Sequence, residues 1–482
     1  MLTIYDTKGN LLKEIEAENG RLLFDILTEA GYRINATCGG KGTCNKCKVN
    51  VDGEDVLSCM FKVNSSHKVT LPEYATEKAE AYVLTLSDDM TLGDNPFSEK
   101  VGAAIDIGTT TIAAYFYDLE TKELIHVDSC LNPQAKHGAD VISRIDYTIN
   151  NNNGTKVMQA LIISCLKKLL SRFDNISICV IAGNTTMLHF LVGEETKTIA
   201  IAPYVPVFTD AKIFTNDELG LGVEKVILTP SISAFIGGDI TAGVLSTGMY
   251  KSDKNILLID MGTNGEMVLN NRGKLIGAST ACGPAFEGAN IKYGMGGVTG
   301  AICKVEMKED GALNVYTLGN EKARGICGSG LIDLIACLVN MELIDETGFM
   351  EEDFEVSPGI YLTTRDVREF QNAKAAIGAG IRVIAKHAGI SLEEIDEVLL
   401  AGGFGSYIDI NSAIDATLLP YEFRGKISSC GNSSGKGASQ ILLEESLLNA
   451  AIDISKAVDY IELANSKYFS DFYVMSMMFE QE

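Results

Sequence analysis

Two short strings, Asp106-Ile-Gly-Thr-Thr-Thr and Asp260-Met-Gly-Thr-Asn-Gly, constrain the architecture of this chain more than any other feature. Each closes an apolar run that reads as a buried strand, and each then bends at a glycine, Gly108 or Gly262, into a second strand. They lie 154 residues apart, within the matching three-strand patterns "VGAAIDIGTTTIAAYFYDLETKELIHVDSC" from Val101 and "NILLIDMGTNGEMVLNNRGKLIGAST" from Asn255. Two copies of one plan predict a duplicated α/β unit of two lobes with a cleft between them. Spacing predicts helices at "GADVISRIDYTIN" and "KVMQALIISCLKKLLSRF", then a strand, a loop at Gly183–Thr186 and a helix within "ISICVIAGNTTMLHFLVG". "IDEVLLAGGFGSYID" adds a buried strand ending in glycines, and "KGASQILLEESLL" a late helix.

A strand that ends in Asp and turns through Gly-Thr suits phosphate. The turn exposes successive N–H groups, glycine allows close approach, and hydroxyls add donors. The candidate contacts are Gly108, Thr109, Thr110 and Thr111 in the first copy, and Gly262, Thr263 and Asn264 in the second. Asp106 and Asp260 would meet the magnesium that accompanies the phosphates, through water. One such turn is often merely a turn; two, with the glycines of "AGGFG", point to a nucleotide.

The second constraint is sulfur. "TCGGKGTCNKC" and the later "SCM" set Cys38, Cys44, Cys47 and Cys59 at the spacing C-x5-C-x2-C-x11-C. Structural zinc usually takes two close cysteine pairs, and here there is one. Glycines 39, 40 and 42 let the backbone wrap a compact object and aim N–H groups at it. The bridging sulfides of a [2Fe–2S] cluster would accept those bonds, whereas a zinc ion has no such acceptors. The expectation is a [2Fe–2S] cluster on the four cysteines. The other cysteines of the twelve are scattered and read as buried free thiols.

A length of 482 residues suggests roughly three domains. The proposed division is 1–82 for a sulfur-bearing domain of strands around one helix, with Leu22, Leu23, Ile26 and Leu27 on its inner face. Residues 83–100 follow as a linker, then 101–254 and 255–482 as the two lobes, with C-terminal helices returning to the first. The net charge of -24 argues against a nucleic-acid partner. With no export signal and no apolar run near the length of a membrane span, a cytoplasmic protein is expected.

The cysteine loop resembles that of the β-grasp ferredoxins, and its short last interval is similar to the ferredoxin-like domains of molybdenum hydroxylases. The twin Asp-x-Gly-Thr turns resemble the phosphate motifs of the ATPase superfamily of actin, sugar kinases and heat-shock chaperones. On that likeness Ala401–Gly405, including Gly402, Gly403 and Phe404, look like the adenosine motif. Asp239 in "GGDITAGVLSTGM" looks like the carboxylate that positions the hydrolytic water; the plainer reading is a helix N-cap. Glu266 and Glu287 read equally well as cleft-facing or as surface carboxylates, and His189 as a core or hinge residue. The final "FSDFYVMSMMFEQE" reads as a loosely packed tail.

Taken together, residues 1 to about 445 resemble the reductive activators of corrinoid-dependent enzymes. Their signatures look like "NPQAKHGADVISRI", "IAGNTTMLHFLVG", "IDMGTNGEM", "GPAFEG", "GICGSGLID" and "LAGGFGSYID" here. The resemblance implies a corrinoid protein of a methyltransferase system as partner, re-reduced from cobalt(II) to cobalt(I) at the expense of ATP. It also implies an upstream donor such as a ferredoxin or flavodoxin, and leaves a homodimer open. Because the ATPase begins near residue 101, the extra middle domain of longer members is expected to be missing. A small-molecule kinase with a regulatory cluster, and a nucleotide-gated binding protein with a structural one, stay as alternatives.

Overall fold

The computed structural model describes residues 1–32, 34, 42, 46–72, 75, 100–262, 264–288, 290–308, 310–405 and 408–480. They form two compact units, Met1–Ala81 with Pro133–Asn151, and Tyr82–Asn132 with Asn152–Glu482. Residues 83–99 of the expected linker lie outside the described ones, as do Cys38, Cys44 and Thr263.

In the first unit, strands β1 (Leu2–Tyr5), β2 (Leu11–Ile15), β3 (Lys48–Val51), β4 (Glu54–Leu57) and β5 (His67–Thr70) make one sheet in the order β2-β1-β5-β3-β4. β1 and β5 run parallel while the other pairs are antiparallel, the mixed order of a β-grasp. Alternation puts Leu2, Ile4, Val49, Val51 and Val69 on the inner face. Against it lies the helix Leu23–Glu29, which buries Leu23, Phe24, Ile26 and Leu27 and ends before Gly31 at φ +93°. Phe24 takes the place expected of Leu22, because Leu22 is still extended at the N-cap and bridges to Lys62. The segment 133–151 holds a 3₁₀ turn and the helix Val141–Asn150, whose capping Asp140 accepts from Ser143 N–H at 2.7 Å.

The second unit contains the duplication. Strands β6 (Val101–Ile107), β7 (Thr111–Asp118), β8 (Leu124–Leu131), β9 (Ile176–Gly183), β10 (Lys212–Thr215) and β11 (Lys225–Leu228) form a sheet in the order β10-β11-β9-β6-β7-β8. A second six-stranded sheet repeats it. Its first hairpins are β12 (Asn255–Met261), β13 (Gly265–Asn271) and β14 (Lys274–Thr280), and the later strands Glu397–Ala401, Ile427–Gly431 and Asp459–Ile461 complete it. In both sheets the aspartate strand pairs antiparallel with the strand after its turn and parallel with a later one. Asp106 stands opposite Ala113 and Ala182, and Asp260 opposite Glu266 and Ala401. The second turn is one residue shorter than the first, yet both carboxylates stand one residue before the end of their strands.

Two helices, Gly238–Thr247 and Ser433–Leu443, cross between the sheets. They approach so closely that a Cβ on Gly437 would lie 2.1 Å from the Ala242 carbonyl oxygen, so this position excludes any side chain. The late helix of the sequence reading is two helices, Ser433–Leu443 and Leu447–Ala457, broken at Glu444 and Glu445. The C-terminal segment is docked rather than loose. Its helix Phe469–Met475 is followed by Phe479, which is buried and stacks on Phe370 at 6.2 Å. Lys374, fully buried in the helix Thr364–Ala388, donates to the carbonyls of Ser476, at 2.7 Å, and Met478.

His189 is a core residue. Its ring is fully buried and stacks on Phe208 at 4.2 Å; Nδ1–H donates to Thr185 O at 2.7 Å, and Nε2 accepts from Val207 N–H at 3.1 Å. Burial pushes its pKa down to about 4. A base held below its unfolded value stabilises the fold fully above about pH 6.5, and that contribution is lost as pH falls toward 4. Urea unfolding is therefore expected to show that wild type loses on the order of 3 kcal/mol more than His189→Gln across this window. Parallel pH profiles for the two proteins would contradict it.

Candidate functional site

The first Asp-x-Gly-Thr turn is braced from several sides. Gly108 N–H donates to Thr111 O at 2.9 Å, closing the turn. Asn132, just past β8, donates Nδ2–H to Gly108 O at 2.9 Å and its backbone N–H to Thr110 O at 2.8 Å. Asn184, which caps the helix Thr185–Val192, also donates to Thr109 Oγ1 at 3.1 Å. The loop Gly183–Thr186 thus touches the phosphate turn directly. In the second copy Gly262 N–H donates to Asn264 O at 2.9 Å.

Across the cleft, Thr110 donates its hydroxyl to Glu287 Oε1 at 3.0 Å. Glu287 ends the 3₁₀ helix Pro284–Glu287, so "GPAFEG" faces the first turn. Gly402 has φ +88°, and a Cβ there would lie 2.6 Å from Asp260 Oδ1. Glycine is needed twice over, for the backbone conformation and for the approach to the carboxylate. Gly403 follows in the same short helical turn, Gly402–Gly405, with Phe404.

Asp239 is not an N-cap. Gly237 holds that position and Asp239 sits in the first turn of the helix Gly238–Thr247, its Oδ1 accepting from Ile240 N–H at 2.8 Å. Asp106, Asp239, Asp260 and Glu266 are near enough to perturb one another. Burial, then Asp260 and Asp106, pushes Asp239 up to about 8; burial and Asp106 push Asp260 up to about 7. Burial raises Asp106 as well, and burial with Asp239 and Asp260 raises Glu266 well above the usual carboxylate range. Carboxylates so crowded cannot all stay ionised at neutral pH without a cation among them. Among the described residues no three His, Cys, Asp or Glu side chains are close enough to chelate a metal directly. Mutually perturbing carboxylates are a donor set that a hydrated divalent cation would neutralise.

Asn432 and Ser434 are the partners that sequence reasoning missed. Asn432 Nδ2–H donates to Asp106 Oδ2 at 2.9 Å, and Ser434 Oγ–H to Asp106 Oδ1 at 2.8 Å. The Asn432 side-chain oxygen meanwhile accepts from Gly435 N–H at 2.7 Å, capping the helix Ser433–Leu443 and aiming the amide nitrogen at Asp106. Gly431 ends the strand beside Ala401, so the chain leaves the second sheet at Gly431–Asn432, beside Asp106, and enters the helix Ser433–Leu443. The string "GNSSG" reads locally as an N-cap, which it is; nothing local reveals its second contact.

In the first unit, Cys47 and Cys59 are buried, with their sulfurs 3.2 Å apart. That is beyond disulfide length and close enough for both to bind one metal ion. Cys47 O accepts from both the N–H and the Oγ–H of Ser58, tying the two segments together. Gly42, at φ +72°, leaves a space that a Cβ would close against Met60 Cγ at 3.0 Å. The described part of the site fits a cysteine-ligated cluster.

Three family models match the chain. One described as a 2Fe-2S iron-sulfur cluster binding domain matches residues 8–75, one for the RACo middle region 101–252, and one for the C-terminal domain of RACo, the ASKHA domain, 254–482. The chain is 30% identical to the corrinoid activation enzyme RamQ of Eubacterium limosum, across 97% of this chain and 98% of that protein. The chain belongs to the corrinoid reductive activators. Another relative of these activators, at 29% identity over 78% of this chain and 77% of its own, is the [Co(II) methylated amine-specific corrinoid protein] reductase of Methanosarcina barkeri. A solved structure of a reductive activator for a corrinoid, iron-sulfur protein superposes with a TM-score of 0.71 at 28% identity, covering 99% of this chain and 98% of the other. The middle-region match covers the residues that hold the first sheet. No helix among the described residues is long and apolar enough to cross a membrane.

Proposed function

We infer that the protein is an ATP-hydrolysing reductase that reactivates a corrinoid protein by reducing its cobalt(II) to cobalt(I). The observation that carries this reading is similarity to a corrinoid activation enzyme along the whole chain, through the cysteine-bearing unit and the duplicated ATPase alike. A [2Fe–2S] cluster, when bound, supplies a one-electron carrier. Cys38, Cys44, Cys47 and Cys59 would hold it.

Cobalt(I) is so strong a reductant that the transfer runs uphill. Moving a two-state equilibrium from 1:99 to 99:1 takes about 5.5 kcal/mol, equivalent to ~240 mV for one electron. Nucleotide turnover is the source of that bias. Gly108, Thr109, Thr110 and Thr111 would cradle the phosphates from one lobe, with Gly262, Thr263 and Asn264 opposite. Gly402, Gly403 and Phe404 would border the nucleoside. Asp106 and Asp260 would orient the water shell of Mg2+, and Asp239 the attacking water. A ferredoxin or flavodoxin would serve as donor. The test is anaerobic spectroscopy of a cobalt(II) corrinoid protein mixed with reduced activator. Cobalt(I) should accumulate only with hydrolysable ATP; equal accumulation without it, or phosphorylation of a small molecule instead, would overturn the reading.

Asn432 and Ser434 would then act as positioning residues for Asp106. The double variant Asn432→Ala, Ser434→Ala is expected to lower kcat for ATP hydrolysis about 10- to 100-fold. The Mg2+ concentration needed for half-maximal rate should rise, with little change in KM for ATP. An unchanged Mg2+ requirement would assign the pair a purely structural role.

A further inference from the structure

Cys130 and Cys165 form a second sulfur site, outside both centres already described. Cys130 is near the end of β8 and Cys165 faces it from the helix Gly154–Leu170, 35 residues on. Their sulfurs lie 2.7 Å apart and both residues are partly exposed. Cys179, Cys282 and Cys337, by contrast, are buried. The sulfur contact with Cys165 pulls the Cys130 thiol below the ordinary range; burial and Asp128 oppose this and Lys168 assists. A partly exposed thiol of lowered pKa beside a second thiol is the arrangement of a reactive pair with its own resolving partner.

Position gives the pair a consequence. Cys130 stands opposite Ile112, and Leu131 opposite Thr111, the last residue of the first phosphate turn. The next residue is Asn132, whose two hydrogen bonds hold Gly108 and Thr110. A covalent tie at Cys130 therefore acts two residues from the brace of the phosphate site.

We propose that Cys130 and Cys165 form a reversible disulfide that switches ATP hydrolysis off under oxidising conditions. The oxidant is a low-molecular-weight disulfide. The Cys130 thiolate attacks one of its sulfurs and expels the first small thiol, leaving a mixed disulfide on Cys130. Cys165 then gives up its proton, attacks the Cys130 sulfur and expels the second small thiol. Two protein thiols become one disulfide, and the oxidant becomes two thiols. Bond formation draws the sulfurs from 2.7 Å to the roughly 2.05 Å of a disulfide, which shifts the end of β8 against the helix. The switch would stop ATP turnover when oxidation makes cobalt(I) unattainable.

The test exposes the full-length, cluster-loaded protein to oxidised glutathione, alkylates it, digests it and maps it by mass spectrometry. Peptides carrying Cys130 and Cys165 should be recovered linked. Hydrolysis of ATP should fall about 10- to 100-fold, since displacements below 1 Å at a reacting geometry have effects of that size. Dithiothreitol should restore it. Cys165→Ser is expected to hydrolyse ATP normally and to keep its rate in oxidised glutathione, which separates the switch from any effect of the oxidant on the cluster. Free, alkylated Cys130 and Cys165 after treatment would overturn the proposal. So would a linked form that hydrolyses ATP as fast as the reduced one.

Discussion

Replacing Asp239 by alanine is expected to slow ATP hydrolysis by about a thousandfold, within the range for losing a group that positions or deprotonates a nucleophile. Affinity for Mg–ATP should stay equal or become tighter. The reason is electrostatic: Asp260, Asp106 and Glu266 surround Asp239, so its removal deletes one like charge from a site that must accept polyphosphate. An effect on kcat without a matching loss of binding is the mark of an interaction made mainly in the transition state. Stopped-flow nucleotide binding and steady-state hydrolysis on the same preparation decide the matter. A variant that hydrolyses within about threefold of wild type would return Asp239 to an ordinary first-turn carboxylate.

The second large effect lies in the other unit. Cys47→Ser is expected to abolish cobalt(II) reduction, by more than about a hundredfold, because losing a direct ligand exceeds the 10- to 100-fold typical of an outer-shell change. The visible absorbance of the iron–sulfur centre should disappear with it, and iron and acid-labile sulfide should fall together. ATP hydrolysis should persist, because the nucleotide cleft belongs to a separate compact unit with its own core. Cys47 and Cys59 both sit in the hydrophobic core of the first unit, so that unit should also unfold at lower temperature. Wild-type absorbance in the variant would show that Cys47 is not a ligand.

Local patterns made the duplicated strands legible, because strand periodicity and Asp-Gly turns repeat within a few residues. Glycines beside Asp106 and Asp260, and the cysteine intervals, carried the candidate centres for the same reason. Contacts closed by the tertiary fold left no local trace. Asn432 and Ser434 meet Asp106 from more than three hundred residues away, at separations of 326 and 328. Thr110 and Glu287 meet across 177 residues, so Glu287 stayed undecided between cleft and surface. The docked tail escaped because its anchor, Lys374, reads as a surface charge on an amphipathic helix until its amine is seen to satisfy two tail carbonyls. The chain break at Glu444 is likewise invisible to apolar spacing, which runs on through both helices.

The passage of the chain at Gly431–Asn432 has a mechanical consequence. Were the lobes to turn about this joint, the pivot would lie beside Asp106, at the proposed reaction centre. Points near a pivot hardly travel, while points far from it sweep arcs that lengthen with radius. Asp106 would then keep its alignment while the outer rims of the two sheets underwent the greatest displacement. A docked partner gripping those rims would feel each turnover as a push or pull, with the nucleotide as fulcrum and the lobe as lever.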